Sequence, residues 1–267
     1  MLSYRHGYHA GNPADVFKHS VLLALIDAMQ QKSSSITCID THAGAAYYDL
    51  AGDMAQKNSE HTAGIGRLWQ TEALNPALQP YLDAMRQANP DGVLRHYPGS
   101  PTLIADRLRQ QDRAIVCDLH PREQHALRER FEHHPRLRVH EGDGYAALKQ
   151  YLPPNTKRAL VHIDPSYETR DEVARMTRGL EQAMKRFAHG VYAIWYPMID
   201  GREDIDLSHL PDTLGVAEDK WHDLQLVFPE QQRLGRMRGC AMALINTPYR
   251  AQASVAAVQT ALSASTP

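Results

Sequence analysis

The sequence predicts an α/β fold in which a seven-stranded, mostly parallel sheet is covered by helices on both faces. Three observations predict it. Seven short β-rich runs recur along the chain, at 36–40, 114–118, 137–140, 159–164, 191–196, 224–228 and 241–246. Longer helix-like segments separate most of them, the alternation that builds parallel sheets. Four of the runs carry a carboxylate at or just beyond the C-terminal end: Asp40, Asp118, Asp143 and Asp164. In an open α/β sheet the ligand crevice lies outside those ends, so acids delivered there by four separate strands read as a site.

The first helix follows Asn12, a suitable N-cap, with Pro13 at the first helical position. Phe17, Val21, Leu25 and Met29 then recur every four residues, and Val16, Leu22 and Ile26 widen the apolar face. Lys18 and His19 fall in its early turns, where Lys18 taken alone reads as a solvated charge. The interval between the first two strands, 47–113, is far longer than a crossover needs. It predicts a small helical insertion at 47–100 within a single domain of residues 1–267, with helix around 63–87 and Ile65, Leu68 and Trp69 to pack. Pro98-Gly99-Ser100-Pro101 then breaks the chain before a helix at 102–110. The Ala/Ser/Thr-rich tail, 251–267, reads as a short helix with a fraying end.

Composition narrows the function. With 267 residues, 43% of them hydrophobic, the chain can bury a large core. Twenty-nine Lys and Arg face 31 Asp and Glu, a formal net charge of −2, so no global basic field marks a general nucleic-acid binder. A polyanion must be met by a local patch. Cys38, Cys117 and Cys240 are odd in number and form no Cys-x-x-Cys, which argues against a disulfide framework or a zinc knuckle. His133, His134 and His140 lie near Glu132 and Glu141 without a metal-ligand spacing, so no metal is expected. The N-terminus lacks the apolar region of a signal peptide, and no run approaches the ~20 apolar residues of a membrane span. The expectation is a soluble, cytoplasmic protein and a monomer.

The most informative motif is Asp164-Pro165-Ser166-Tyr167, directly after the apolar run Ala159-Leu160-Val161-His162-Ile163. A carboxylate and the Pro165 carbonyl can both accept from an exocyclic amino group while Tyr167 lies against the ring. Two acceptors pull a delocalised nitrogen towards tetrahedral geometry and aim its lone pair at an electrophile. The Gly-containing turn Asp40-Thr41-His42-Ala43-Gly44-Ala45 lets backbone approach a ligand, but it is no G-x-G-x-x-G, which disfavours NAD. Asp118 suits the two hydroxyls of a ribose, and Asp143-Gly144 suits an adenine amino group with close backbone contact. In that order the elements fit S-adenosylmethionine in a doubly wound methyltransferase sheet.

A more specific pattern is carried by Tyr4-Arg5-His6, His9-Ala10-Gly11-Asn12, Asp15 and Lys18-His19. It continues in Asp40-Thr41-His42-Ala43-Gly44, Tyr97-Pro98-Gly99-Ser100-Pro101, Asp164-Pro165-x-Tyr167 and Tyr192-Ala193-x-Trp195-Tyr196-Pro197. On these residues the chain resembles the 23S ribosomal RNA adenine-N6 methyltransferase J family from Tyr4 to about Pro248. The resemblance implies a class I, Rossmann-like methyltransferase fold, S-adenosylmethionine as methyl donor, 23S ribosomal RNA as partner and no metal. It puts cofactor contacts on Lys18, His19, His42, Gly44, Ser100, Asp118, Asp143, Gly144 and Asp164. It puts catalysis on Asp164, Pro165 and Tyr167, and a substrate-side aromatic at Tyr4. Two departures stand out. The ribose acid, usually Glu, is Asp118, and the usual Asp-Pro-Pro-Tyr has Ser166 third, which restores a free φ and an N–H to the loop.

Basic and aromatic residues supply the RNA contacts. Tyr4, Arg5, His6, Tyr8 and His9 suit phosphates and stacking, and Arg233, Arg236 and Arg238 beside Gly235 and Gly239 read as a loop over the site. The rival readings are a DNA adenine-N6 methyltransferase, which shares Asp-Pro-x-Tyr, and a catalytically inactive RNA-binding relative. A protein-glutamine methyltransferase and a nicotinamide oxidoreductase rank lower.

Overall fold

The computed structural model describes residues 4–71 and 75–264. These form nine strands: β1 (Thr37–Asp40), β2 (Tyr47–Asp49), β3 (His96–Pro98), β4 (Arg113–Asp118), β5 (Leu137–Glu141), β6 (Ala159–Ile163), β7 (Val191–Ile199), β8 (Trp221–Val227) and β9 (Met237–Ile245). Seven make one sheet in the order β5-β4-β1-β6-β7-β9-β8. It is parallel from β5 to β7, and β9 runs antiparallel to both β7 and β8. After β1 the chain steps outward through β4 and β5, then returns to place β6 on the other side of β1. That reversal makes a switch point between β1 and β6, where open α/β sheets bind ligands.

The helices are α1 (Pro13–Gln30), α2 (Asp53–Asn58), α3 (Ile65–Trp69), α4 (Gln79–Ala88), α5 (Ser100–Arg107), α6 (Pro121–Phe131), α7 (Gly144–Tyr151), α8 (Glu172–Arg186), α9 (Leu210–Leu214) and α10 (Tyr249–Ala264). Strand residues alternate between two cores with the period of two that a pleated sheet imposes: Cys38, Leu160 and Ala193 face one side, Ile39, Val161 and Ile194 the other. Helices α1, α4, α5, α6 and α10 pack into the first core, and α7, α8 and α9 into the second. Burial pushes the Cys38 and Cys240 thiols up to about 12, so both behave as small apolar groups.

Several elements differ from the sequence reading. Helix α1 is buried on 15 of its 18 residues, because the sheet lies on one side and α4, α5 and α10 on the others. Lys18 is therefore not a solvated charge. Helix α10 runs to Ala264 instead of fraying early, since Ala251, Val255, Val258 and Ala261 form an apolar stripe buried beside α1. Helix α5 starts at Ser100, two residues early, with Pro101 in its first turn. Strand β7 runs on to Ile199. Its Pro197 lies beyond Ile194, the last residue paired with β6, where a missing N–H breaks no ladder on that edge. The ribbon of β2 and β3 was not expected. It pairs Tyr47 with Pro98 and Asp49 with His96, joining the two ends of the 47–100 segment, which also holds α2, α3 and α4.

Among the described residues, no helix is long and apolar enough to cross a membrane. Nor do three or more His, Cys, Asp or Glu side chains gather to hold a metal ion.

Candidate active site

A cavity of about 480 Å³ opens at the switch point. The turns after β1, β4, β5 and β6 line it from the sheet, and α1 closes it from the side. Asn12 caps α1 by accepting from the Asp15 N–H at 2.9 Å, which fixes where the helix begins. One turn then carries Asp15, Lys18 and His19 under the carboxyl ends of the strands.

A chain of bonds runs from the N-terminal segment to the end of β6. The Lys18 ammonium, 4% exposed, sits 2.8 Å from Asp15 Oδ1 and 2.5 Å from Asp164 Oδ2. Asp15 Oδ2 accepts from His6 Nε2 at 2.8 Å and from the Gly11 N–H at 2.9 Å. With Nε2–H donated to the carboxylate, Nδ1 of a neutral His6 ring accepts from the Tyr4 hydroxyl, 2.9 Å away. Burial alone would lower the Lys18 pKa, but Asp15 and Asp164 more than reverse that and raise it, so the ammonium keeps its proton. Burial alone would raise the Asp15 carboxyl, yet His6 and Lys18 hold it well below the usual carboxylate range.

Lys18 thus lines the cavity, but its ammonium is taken up by two carboxylates. Asp164 Oδ1 and the Pro165 carbonyl, both on cavity-lining residues, accept no hydrogen bond from the described residues. The Asp-Pro-Ser-Tyr turn therefore offers two unsatisfied acceptors from adjacent residues.

Tyr167 requires a correction. Its side chain is not among the cavity-lining residues. It is 2% exposed, and its hydroxyl donates to the Trp195 carbonyl at 2.8 Å, which draws the ring into the core beneath the site. Besides histidines, the aromatic rings lining the cavity are Tyr4, Tyr48 and Trp195, with Lys18 Nζ 5.5 Å from the centroid of the indole.

The far end of the cavity is built from the turns. Asp118 accepts from the Gly44 N–H at 2.9 Å and the His120 N–H at 2.7 Å, and burial raises its carboxyl pKa. Gly44 has φ +63°, and a Cβ there would fall 2.2 Å from the Tyr48 hydroxyl. Gly144 is required by approach: a Cβ would meet the Thr41 carbonyl oxygen at 2.1 Å. Asp143 Oδ1 caps α7 at the Tyr145 N–H, 2.9 Å, and Oδ2 faces Arg175 Nη2 at 3.4 Å. Ser100, buried, opens α5 beside them.

Two histidines present opposite faces. The Tyr81 hydroxyl donates to that of Tyr97, which donates to His19 Nδ1 at 2.7 Å, so neutral His19 carries its proton on Nε2. Burial holds the His19 pKa well below the usual range. Thr41 Oγ1 donates to the His162 carbonyl, so His42 Nδ1 must donate to Oγ1 at 2.8 Å, leaving Nε2 as an acceptor. Burial lowers the His42 pKa as well.

Of the residues expected to meet RNA, Tyr4, His6, His9 and Arg236 line the cavity. Arg5 does not; it lines a second hollow with Tyr47, Asp53 and Met54. Arg238 lies off the cavity, its Nε 3.5 Å from Asp200 Oδ1, and the Arg236 guanidinium donates to the Asp200 carbonyl. Sequence reasoning assigned no role to several residues found at the site. Glu60, from the 47–100 segment, accepts from His9 Nδ1 and Asn12 Nδ2, each at 3.0 Å, and no local pattern announces it. Asp15 stands three residues before Lys18, and that i,i+3 spacing is the signal the sequence offers for it.

Eight carboxylates and only three Lys or Arg side chains line the cavity. Such a lining favours a cationic ligand and repels a phosphate backbone. The volume lies within the 300–1,000 Å³ typical of cofactor sites. An acid with both oxygens fixed by backbone N–H groups suits a vicinal diol, a neutral Nε2–H donor suits a carboxylate, and the acidic wall suits a sulfonium. The residues fit S-adenosylmethionine.

Fold and site together define a class I S-adenosylmethionine-dependent methyltransferase. The model of the family described as "Ribosomal RNA large subunit methyltransferase D, RlmJ" matches residues 33–265. Over 250 residues the chain is 38% identical to the ribosomal RNA large subunit methyltransferase J of Escherichia coli, covering 94% of this chain and 89% of that one. The enzyme of the same name from Haemophilus influenzae is 36% identical over 250 residues, covering 93% and 88%. A Legionella pneumophila protein of known crystal structure aligns with a TM-score of 0.84 at 30% identity, covering 95% of this chain and 92% of that one. The chain belongs to this family of large-subunit ribosomal RNA methyltransferases.

Proposed function

We propose that this enzyme methylates the N6 amino group of one adenine in 23S ribosomal RNA, with Asp164 and the Pro165 carbonyl gripping the amine. The observation that carries the reading is the pair of unsatisfied acceptors at the end of β6, one of them on a carboxylate locked by Lys18. Adenine N6 offers two donors, one for each acceptor. Bound S-adenosylmethionine supplies an electrophilic methyl group. His19, Ser100, Asp118, Asp143 and Gly144 hold and orient that donor from the turns, and His42 accepts through Nε2. The acidic wall keeps phosphates outside, so only the base enters, at an unstacking cost on the order of a few kcal/mol. Tyr4 and Trp195 supply rings beside it.

Asp164 acts first as an acceptor that aims the lone pair. The amine proton departs only after methyl transfer has made the nitrogen cationic and acidic. Positioning and electrostatics therefore contribute most of the rate. Arg236 at the rim meets the RNA backbone. The same reading takes the enzyme as a metal-free cytoplasmic monomer, with the 47–100 segment as a subdomain bracing the N-terminal residues through Glu60.

The test is methyl transfer from labelled S-adenosylmethionine to unmodified 23S RNA, followed by nucleoside mass spectrometry. N6-methyladenosine is expected as the product. Label appearing on another position or only on DNA would overturn the reading.

A further inference from the structure

Tyr167 has φ +52°, a strained conformation for a residue with a side chain, which persists only where its surroundings impose it. It closes the loop that carries Asp164 and Pro165. Contacts from outside the loop hold it at both ends. Its hydroxyl donates to the Trp195 carbonyl at 2.8 Å, and its ring packs against the Trp195 indole. Its carbonyl accepts from Arg202 Nη1 and Nη2 at 3.2 and 3.1 Å. Arg202 is itself fixed. Its Nε donates to Asp204 Oδ1 at 2.9 Å and its Nη2 to Oδ2 at 2.9 Å. A turn off the end of β7 anchors its backbone: the Arg202 N–H donates to the Ile199 carbonyl at 3.1 Å and its carbonyl accepts from Ile205 at 2.9 Å.

Between Pro165 and Tyr167 the chain has Ser166, whose φ is free and whose N–H donates to no group among the described residues. A proline there would lock φ from within and break no hydrogen bond. We propose that Arg202, oriented by Asp204, is the positioning residue that fixes this loop from outside, in place of the proline missing at 166. The inference rests on Asp164 and the Pro165 carbonyl being the acceptors of the target amine. Releasing the Tyr167 carbonyl frees the loop to swing by about 1 Å, a displacement that costs on the order of 10²-fold in rate.

The experiment compares wild type, Arg202→Ala, Arg202→Lys, Ser166→Pro and Ser166→Pro/Arg202→Ala, with Asp164→Ala as the inactive control. Steady-state methyl transfer to 23S RNA gives kcat and KM for each substrate. Circular dichroism and cofactor calorimetry confirm folding, and if Arg202→Ala does not fold, Arg202→Lys carries the comparison. Arg202→Ala should lower kcat roughly 10- to 100-fold, with either KM changed by less than about threefold. Arg202→Lys, which keeps the charge but loses the fork, should fall in the same direction. Ser166→Pro, combined with Arg202→Ala, should restore most of the rate that Arg202→Ala alone loses. A wild-type kcat in Arg202→Ala overturns the proposal, as does a loss confined to KM for RNA or a double variant no faster than the single. A wild type that leaves adenine N6 unmethylated overturns instead the reading of the site itself.

Discussion

Replacing Lys18 with Met removes the one cation that stands between the buried Asp15 carboxylate and the cavity-lining Asp164. The Asp15 side chain is 2% exposed and is not rehydrated by a local change, while Asp164, 13% exposed, lines the cavity. Deleting one partner of a buried pair costs about 3–5 kcal/mol, because the remaining charge stays desolvated. Two charges are orphaned here, but Asp15 keeps His6 Nε2 and the Gly11 N–H, both within 2.9 Å. The loss should therefore stay near the value for one pair. For a chain of this length each kcal/mol moves Tm by roughly 2–4 °C, so Lys18→Met should melt about 10 °C lower at pH 7.

Thermal denaturation by circular dichroism measures this directly, and the pH dependence adds a second check. The folded Asp15 carboxyl lies well below its unfolded value, so its contribution is complete above about pH 4 and is lost as pH falls from there. Without Lys18 less of that depression survives, so the acid limb still begins near the unfolded value but is shallower and ends at higher pH. A Tm within about 2 °C of wild type would mean the pair is worth less than about 1 kcal/mol and would refute the reasoning.

Three further outcomes are expected. Tyr97→Phe removes the donor to His19 Nδ1 and should weaken S-adenosylmethionine binding roughly tenfold by calorimetry, with Tyr81→Phe weaker in the same direction; unchanged affinity in both would remove the relay. Gly144→Ala drives a Cβ against the Thr41 carbonyl and should abolish cofactor binding while the fold survives at lower Tm; wild-type affinity would show the turn to be slack. Burial keeps folded His19 neutral well below the unfolded value of about 6.5, so the unfolded chain binds more protons in that window and stability must drop as pH falls through it. His19→Gln should flatten that slope between about pH 6.5 and 5, and an identical slope would assign it to other groups.

Much of the site was legible because strands announce their ends. An apolar run that stops at an acid identifies both the strand and the crevice side, and Asp118 and Asp164 line the cavity as that logic requires, whereas Asp40 ends β1 but is buried beside His162, off the cavity. Partnership across the chain was not legible. Lys18 and Asp164 are 146 residues apart, and His9 and Glu60 are 51 apart, so no spacing could reveal either pair. The β2–β3 ribbon has three residues per strand, too few for alternation to register. Tyr167 shows a different limit. The motif fixes its identity, but only the positive φ and the Trp195 carbonyl decide that its ring faces the core. The same holds for Arg202, an unremarked loop arginine until its fork is seen on the Tyr167 carbonyl.

The most direct test of the central claim is the single-turnover rate of methyl transfer in Asp164→Ala, measured with saturating cofactor and 23S RNA. If Asp164 grips the amine, the rate should fall by at least about 10²-fold while S-adenosylmethionine still binds and the fold remains intact. A rate near that of wild type would show that another group holds the amine, and the assignment of the end of β6 as the catalytic grip would be wrong.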